Sequence, residues 1–356
     1  MRIIINSPSL DPTKNVSGLA SVTRFIIENN PHQDYVHFES GRKDGEKGGI
    51  HRVNSVIRRF RDWKRLLKTY PDALVHYNFP LEKPSIIRDT PFMRAALKNG
   101  NKMVIHIHGG VYLTSANIPF PFRQMLKHVF SWNVPFITLS ETEAEILRNR
   151  FHAKHVVSLP NCVDLKDAQT FRRKYKEDSI PLTIGYLGRI VKTKGMDYLL
   201  QACCRFKECH IPFCLKIAGA EEQEGQYLPQ FRKALGKQFV YAGIVSGENK
   251  KSFLQSLDVL AMPTFFEGLP MSLLECMSYG VVPVITPVGS IPTVVTEGQN
   301  GMFIKVKDAT STVDAITYLH THRSELEQMS KSSRNYIYEH FSPDSYIDKL
   351  NNIYEL

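Results

Sequence analysis

Paired cysteines are what this chain most plainly lacks. Its six cysteines are Cys162, Cys203, Cys204, Cys209, Cys214 and Cys276, and no CxxC unit or histidine pair accompanies Cys209 and Cys214 to complete a metal set. That argues against a disulfide-stapled secreted fold and a zinc module, and for reduced packing thiols in a cytosolic protein. Long apolar runs are missing too: none approaches the roughly 20 residues of a transmembrane helix. The first residues, Met1 to Ser7, are too short for a signal peptide and read as a core strand. A cytoplasmic location is expected, either soluble or peripheral on the inner face of a membrane. Glycine is scarce where a dinucleotide-binding chain needs it. Val16-Ser17-Gly18-Leu19-Ala20 opens the first helix with Gly18 alone, so no GxGxxG follows the first strand and a Rossmann dehydrogenase is disfavoured.

What is present suits a two-domain α/β protein. The chain has 356 residues, with 42% hydrophobic and 22% charged residues, which is long for one core and comfortable for two. The most informative stretch is Phe266-Glu267-Gly268-Leu269-Pro270-Met271-Ser272-Leu273-Leu274-Glu275. Proline suits a first helical turn, so Glu267 is expected in the loop before a helix starting near Pro270. Glu275 then falls about one and a half turns in. The helix start offers unpaired N–H groups and the positive end of a dipole to an anion, phosphate above all. An apolar strand precedes the motif (Leu257 to Thr264), and Gly280 and a second strand (Val281 to Thr286) follow it. This is a βαβ unit with its polar residues at the carboxyl end of the first strand, where open α/β sheets bind ligands. The bland alternative is two solvated glutamates at a chance spacing.

The segment resembles the donor-binding signature of retaining glycosyltransferase family 4, continuing as Pro287-Val288-Gly289-Ser290-Ile291-Pro292 and Glu297-Gly298-Gln299-Asn300-Gly301. Upstream, Thr183-Ile184-Gly185-Tyr186-Leu187-Gly188-Arg189 and Lys192-Thr193-Lys194-Gly195 extend the resemblance. It implies the GT-B fold, two Rossmann-like domains facing each other across a cleft. The expected domains are 1–165 on the acceptor side, with a C-terminal helix 340–356 crossing back, and 166–339 for the donor. It further implies that Arg189 and Lys194 hold the donor diphosphate, Glu267 the donor sugar and Glu275 the ribose. Backbone at Gly268, Leu269, Pro270 and Met271 would receive the phosphates. Gly188, Gly219 and Ile244 would line the donor site, and Gly18 would approach it or the acceptor. The family needs no metal for this, and no cofactor is expected.

The first half of the chain is less explicit. Lys102 to Gly110 reads as a strand carrying His106 and His108 on one face. The resemblance gives His108 a contact with the transferred sugar, against a merely structural strand-end histidine; His106 is expected to be structural. Neither a carboxylate nor a third histidine nearby completes a metal pair. Phe136 to Ser140 reads as the last strand of the first domain, and Ser140 with Glu143 as a helix cap. Asn161-Cys162-Val163-Asp164 resembles the family linker with cysteine for glycine, a substitution with a backbone cost if the usual turn forms.

The formal net charge is +10, and His51 to Tyr70 carries seven cations (Arg52, Arg58, Arg59, Arg61, Lys64, Arg65, Lys68) against Asp62. Apolar residues interleave at helical spacing, from Val53 and Val56 to Trp63 and Leu67. Such a helix either lies on an anionic bilayer with its aromatic face at the interface, or packs that face on the sheet. A second aromatic cluster, Ile118 to Phe122 with Phe130 and Trp132, is equally open between core and acceptor groove. No RNA- or DNA-binding motif is present, so nucleic acid is not an expected partner. The expected function is metal-independent transfer of a sugar from a UDP- or GDP-sugar to a glycan or lipid-linked acceptor. A GT-B epimerase or hydrolase, or an idle nucleotide-sugar-binding protein, is the alternative.

Overall fold

The computed structural model describes residues 1–11, 15, 17–41, 50–115, 117–175, 177 and 180–356, with the side chains of 50–53 and 114 outside that description. Val16 and the side chains of His51, Arg52 and Val53 therefore fall outside it. The chain divides into two compact units, Met1–Asn161 with Asp344–Leu356, and Cys162–Pro343.

In the first unit, strands and helices alternate: β1 (Arg2–Ser7), α1 (Gly18–Asn29), β2 (Asp34–Glu39), α2 (Ile50–Thr69), β3 (Leu74–Phe79), α3 (Lys83–Asn99), β4 (Met103–Ile107), α4 (Val111–Thr114), α5 (Phe120–Phe130), β5 (Phe136–Thr138), α6 (Glu141–Phe151) and β6 (Val156–Ser158). The strands form one sheet in the order β2-β1-β3-β4-β5-β6, parallel throughout. β3 and β4 are buried along their whole length, as parallel strands covered on both faces must be. β6 lies one strand beyond the expected end of this sheet. At α6, the Ser140 side chain accepts from Glu143 N at 3.3 Å while the Glu143 carboxylate accepts from Leu139 N at 3.0 Å.

Helix α2 settles its own orientation. Trp63 is fully buried, donates Nε1–H to Phe92 O at 2.9 Å and packs 4.8 Å from the Phe38 ring. Of the two orientations open from the sequence, the aromatic face packs inward rather than at a bilayer. Its apolar stripe fills the core of the unit, because burying an indole with its N–H satisfied removes far more apolar surface from water than a surface helix exposes. Arg58, Arg61, Lys64, Arg65 and Lys68 stay exposed, while Arg59 reaches back to Gly41 O. The second aromatic cluster is mostly core: Ile118, Phe122 and Phe130 are buried and Phe120 is exposed.

The second unit contains α7 (Lys166–Thr170), β7 (Leu182–Leu187), α8 (Met196–Glu208), β8 (Phe213–Ala218), α9 (Leu228–Leu235), β9 (Phe239–Tyr241), α10 (Gly247–Ser256), β10 (Val259–Met262), α11 (Met271–Ser278), β11 (Val282–Ile285), β12 (Met302–Phe303), α12 (Ala309–Thr321) and α13 (Arg323–His340). Its sheet order is β12-β11-β10-β7-β8-β9, again parallel. This is the doubly wound arrangement whose topological switch point falls between its first and fourth strands, here β7 and β10. Cys162 is buried, donates to Phe341 O at 3.1 Å, and is not among the residues with positive φ, so the anticipated backbone cost is absent. The last helix, α14 (Pro343–Tyr354), packs into the first unit: Asn351 Oδ1 accepts from Asn30 Nδ2 at 2.8 Å. Among the described residues, no helix is long and apolar enough to cross a membrane.

Candidate functional site

In the second unit the predicted residues gather at the switch point. β7 ends in the Gly188-Arg189 turn, and β10 runs into the loop that carries Glu267. Tyr186 shapes the first of these: its hydroxyl donates to Arg189 O at 2.7 Å beneath Gly188, leaving the Arg189 side chain exposed. Burial, with the Glu267 carboxylate nearby, pushes the Tyr186 phenol well above its ordinary range, so it remains a donor. Gly188 N donates to Ala218 O at 3.0 Å, and Gly219 N to Gly243 O at 2.8 Å, so the turns after β7, β8 and β9 are laced into one rim. A Cβ at Gly219 would stand 1.8 Å from Gly188 O, which reserves that position for glycine. Ile244, next along this rim, is exposed.

Glu267 is gripped from two sides. The short 3-10 turn Lys192–Lys194 accepts Phe265 N on Thr193 O at 2.9 Å. On the other side Ser290 N donates to Gly268 O at 3.1 Å. Between these supports the Lys194 ammonium donates to Glu267 Oε1, and both side chains are at least four-fifths buried.

Pro270 is the N-cap of α11 rather than its first residue, a shift of one position from the expectation. Leu273 N reaches Pro270 O at 3.1 Å, and among the described residues no side chain caps the helix. The first turn of α11, with Gly268 before it and Met271 in it, is a ready place for an anion. Glu275 lies on the same helix, and its Oε1 accepts from Lys250 Nζ at 2.6 Å. Lys250 was not legible in the sequence, because it belongs to a different helix and its partner is 25 positions away. Two lysines and Arg189 against two glutamates leave this cluster with an excess of one positive charge, suited to an anion.

His108 and Gly18 belong to the first unit. Gly18 begins α1 behind Ser17, whose hydroxyl accepts from Ala20 N at 3.2 Å, an ordinary capped helix start. In this sheet the switch point lies between β1 and β3, and two asparagines join the strands there. Asn78 N donates to Asn6 Oδ1 at 2.7 Å, and Asn78 Nδ2 to Asn6 O at 2.6 Å. Asn78 Oδ1 then lies 2.6 Å from His108 Nε2, so that nitrogen carries the proton and Nδ1 is left as an acceptor. Burial, and secondarily His76, push His108 down to about 3, so it is a neutral hydrogen-bonding group.

A third histidine is present after all. His76 Nε2 lies 3.2 Å from His106 Nδ1, and His76 Nδ1 lies 2.7 Å from the Tyr354 hydroxyl on α14. The three form a row of tilted rings rather than a ligand set, and no group of three histidine, cysteine or acidic side chains among the described residues could hold a metal. A groove of about 300 Å³ lined by Leu74, Lys102, Met103 and Tyr354 opens at the amino ends of β3 and β4, the end away from His108.

Comparison with known proteins places this geometry. The family model for glycosyl transferases group 1 matches residues 167–336, which include every donor-side residue of the second unit named above. An uncharacterized glycosyltransferase of Methanocaldococcus jannaschii is 26% identical over 188 residues, 52% of this chain and 48% of that protein. The chain spans about half the length of the first curated relatives it matches. Among solved structures, sucrose-phosphate synthase from Thermosynechococcus elongatus superposes with a TM-score of 0.79 at 16% identity, covering 99% of this chain and 98% of that one. HepE of Anabaena, in complex with UDP-glucose, gives a TM-score of 0.74 at 12% identity, with 99% and 98% covered. These structures establish the fold: two Rossmann-like units of the GT-B class.

Proposed function

We propose that this chain is a retaining, metal-independent glycosyltransferase using a UDP- or GDP-sugar. The observation that carries the reading is the Lys194–Glu267 pair beside the uncapped start of α11, at the switch point of a doubly wound sheet. A nucleotide diphosphate needs fixed donors and cations; a sugar needs a fixed carboxylate for its hydroxyls. Both stand here, on the segments that follow β7 and β10 and on the first turn of α11. The solved HepE, of the same fold, holds UDP-glucose.

In this reading α11's first-turn N–H groups, Arg189 and Lys194 take the diphosphate, Glu267 the sugar hydroxyls and Glu275 the ribose. As the bond between the anomeric carbon and the phosphate oxygen breaks, charge grows on the leaving diphosphate, and the two cations with the helix donors stabilise it. The acceptor hydroxyl attacks the same face, and its proton passes to a phosphate oxygen as the new glycosidic bond forms. His108, neutral and aimed by Asn78, offers a hydrogen bond to the transferred sugar or the acceptor. The acceptor is proposed to be a glycan or lipid-linked sugar, approached at an anionic membrane surface through the exposed cations of α2.

Alanine at Glu267, Arg189 or Lys194 should each lower transfer at least about a hundredfold, as loss of a group that stabilises or positions the transition state does, with the circular dichroism spectrum unchanged. Near-normal turnover in all three overturns the assignment. UDP or GDP released only when acceptor is added identifies a transferase; release without acceptor identifies a hydrolase, and tight donor binding without turnover an idle binder.

A further inference from the structure

We infer that Lys250 is a positioning residue for the ribose-binding carboxylate: it clamps Glu275 by one oxygen and presents the other to the nucleotide. The inference rests on the donor reading above and adds a residue which that reading did not contain.

Lys250 lies in the first turn of α10, where its N–H donates to Ser246 O at 3.3 Å. That is close to the positive end of the helix dipole, a poor place for a cation, and Lys251 follows it at the start of the second turn. Lys251 is explained by its surface partners, Asp167 at 3.3 Å and Glu248 at 3.4 Å, two exposed acids. Lys250 is different. The two lysine side chains are equally exposed, at 27% and 26%, but the Lys250 ammonium meets Glu275 Oε1 at 2.6 Å, on a carboxylate only 14% exposed where the partners of Lys251 are 62% and 81% exposed. Removing both charges from water and freezing a long side chain is unfavourable unless the pair has a task, and local rules broken without structural gain concentrate at functional sites.

The task follows from the ligand's charge. A carboxylate beside a nucleotide diphosphate is repelled by it, and a carboxylate free to rotate loses entropy when ribose hydroxyls fix it. One lysine answers both: it offsets the negative charge and locks the side chain before the ligand arrives. With Oε1 committed to Lys250, Oε2 is the oxygen left for the hydroxyls. The readout is therefore discrimination between ribose and deoxyribose, which a purely structural ion pair would leave alone.

Isothermal titration of the full chain with UDP and 2′-deoxy-UDP, and with GDP and 2′-deoxy-GDP, measures it. The wild type should prefer the ribonucleotide of one base. Lys250→Met should shrink that preference by about tenfold, the worth of one hydrogen bond to a charged group, Lys250→Arg should restore most of it, and Lys251→Met should leave it unchanged. In a Glu275→Gln background, Lys250→Met should have no further effect. If Lys250→Met does not fold, Lys250→Gln carries the same measurement. A wild-type ribose preference in the folded Lys250 variant overturns the inference while leaving the donor reading intact. Failure of the wild type to bind any of the four nucleotides overturns the donor reading and this one together.

Discussion

Two glycines on the donor side show how narrowly single residues hold this site. Gly289 (φ +59°) and Gly298 (φ +71°) both adopt left-handed backbone. A Cβ at Gly298 would meet nothing within 4 Å, whereas one at Gly289 would stand 2.0 Å from Glu267 O. Gly298→Ala should cost about 1 kcal/mol of backbone strain and leave nucleotide binding alone. Gly289→Ala should cost toward 3 kcal/mol and displace Glu267, so that both the thermal midpoint and nucleotide affinity fall. Equal effects of the two substitutions would contradict this account of the loop. At this scale the sequence was informative wherever neighbours in the chain make the site. Glu267, the Gly-Leu-Pro turn and Glu275 sit within nine consecutive positions. Lys250 against Glu275, and Asn6 against Asn78, join residues 25 and 72 positions apart. No local pattern encodes such contacts.

Among the elements, the βαβ order was legible from alternating apolar runs and helical spacing, and β1, α1, β10 and α11 fall within a residue or two of expectation. Periodicity could not say which surface the apolar stripe of α2 meets, because a core and a bilayer select the same spacing. Nor could it detect β6, three residues long and recognisable only by its pairing with β5. The orientation of α2 separates two kinds of substitution. Trp63→Ala removes a buried indole and should cost about 3–5 kcal/mol in chemical denaturation. Glutamine at Arg58, Arg61 and Arg65 touches only exposed side chains and should shift stability by no more than about 0.5 kcal/mol, yet reduce sedimentation with phosphatidylserine liposomes. Unchanged sedimentation would remove the proposed membrane contact; Arg59, anchored to Gly41, is left out of the test.

The molecule as a whole should show an acid-sensitive first unit. Burial pushes both His76 and His108 down to about 3, and His106 well below the ordinary range, with neighbouring imidazoles adding repulsion at His106 and His108. Between the ordinary value of about 6.5 and these folded values, the unfolded chain binds more protons than the native one. Stability is therefore full above about pH 6.5 and falls as the pH drops toward 3. His76→Gln should flatten the dependence of the thermal midpoint on pH between about 4 and 6.5, whatever it does to the midpoint itself; an unchanged slope would count against this assignment. The structure also bears on the order of assembly. The first unit needs α14, which is coded after the second unit, since Tyr354 meets His76 and Asn351 holds Asn30. The second unit, Cys162–Pro343, is by contrast one continuous stretch of chain. Folding the amino-terminal unit first, the usual order, is thus closed to this chain: the earlier-coded unit completes its fold only after the whole of the later-coded one has been translated.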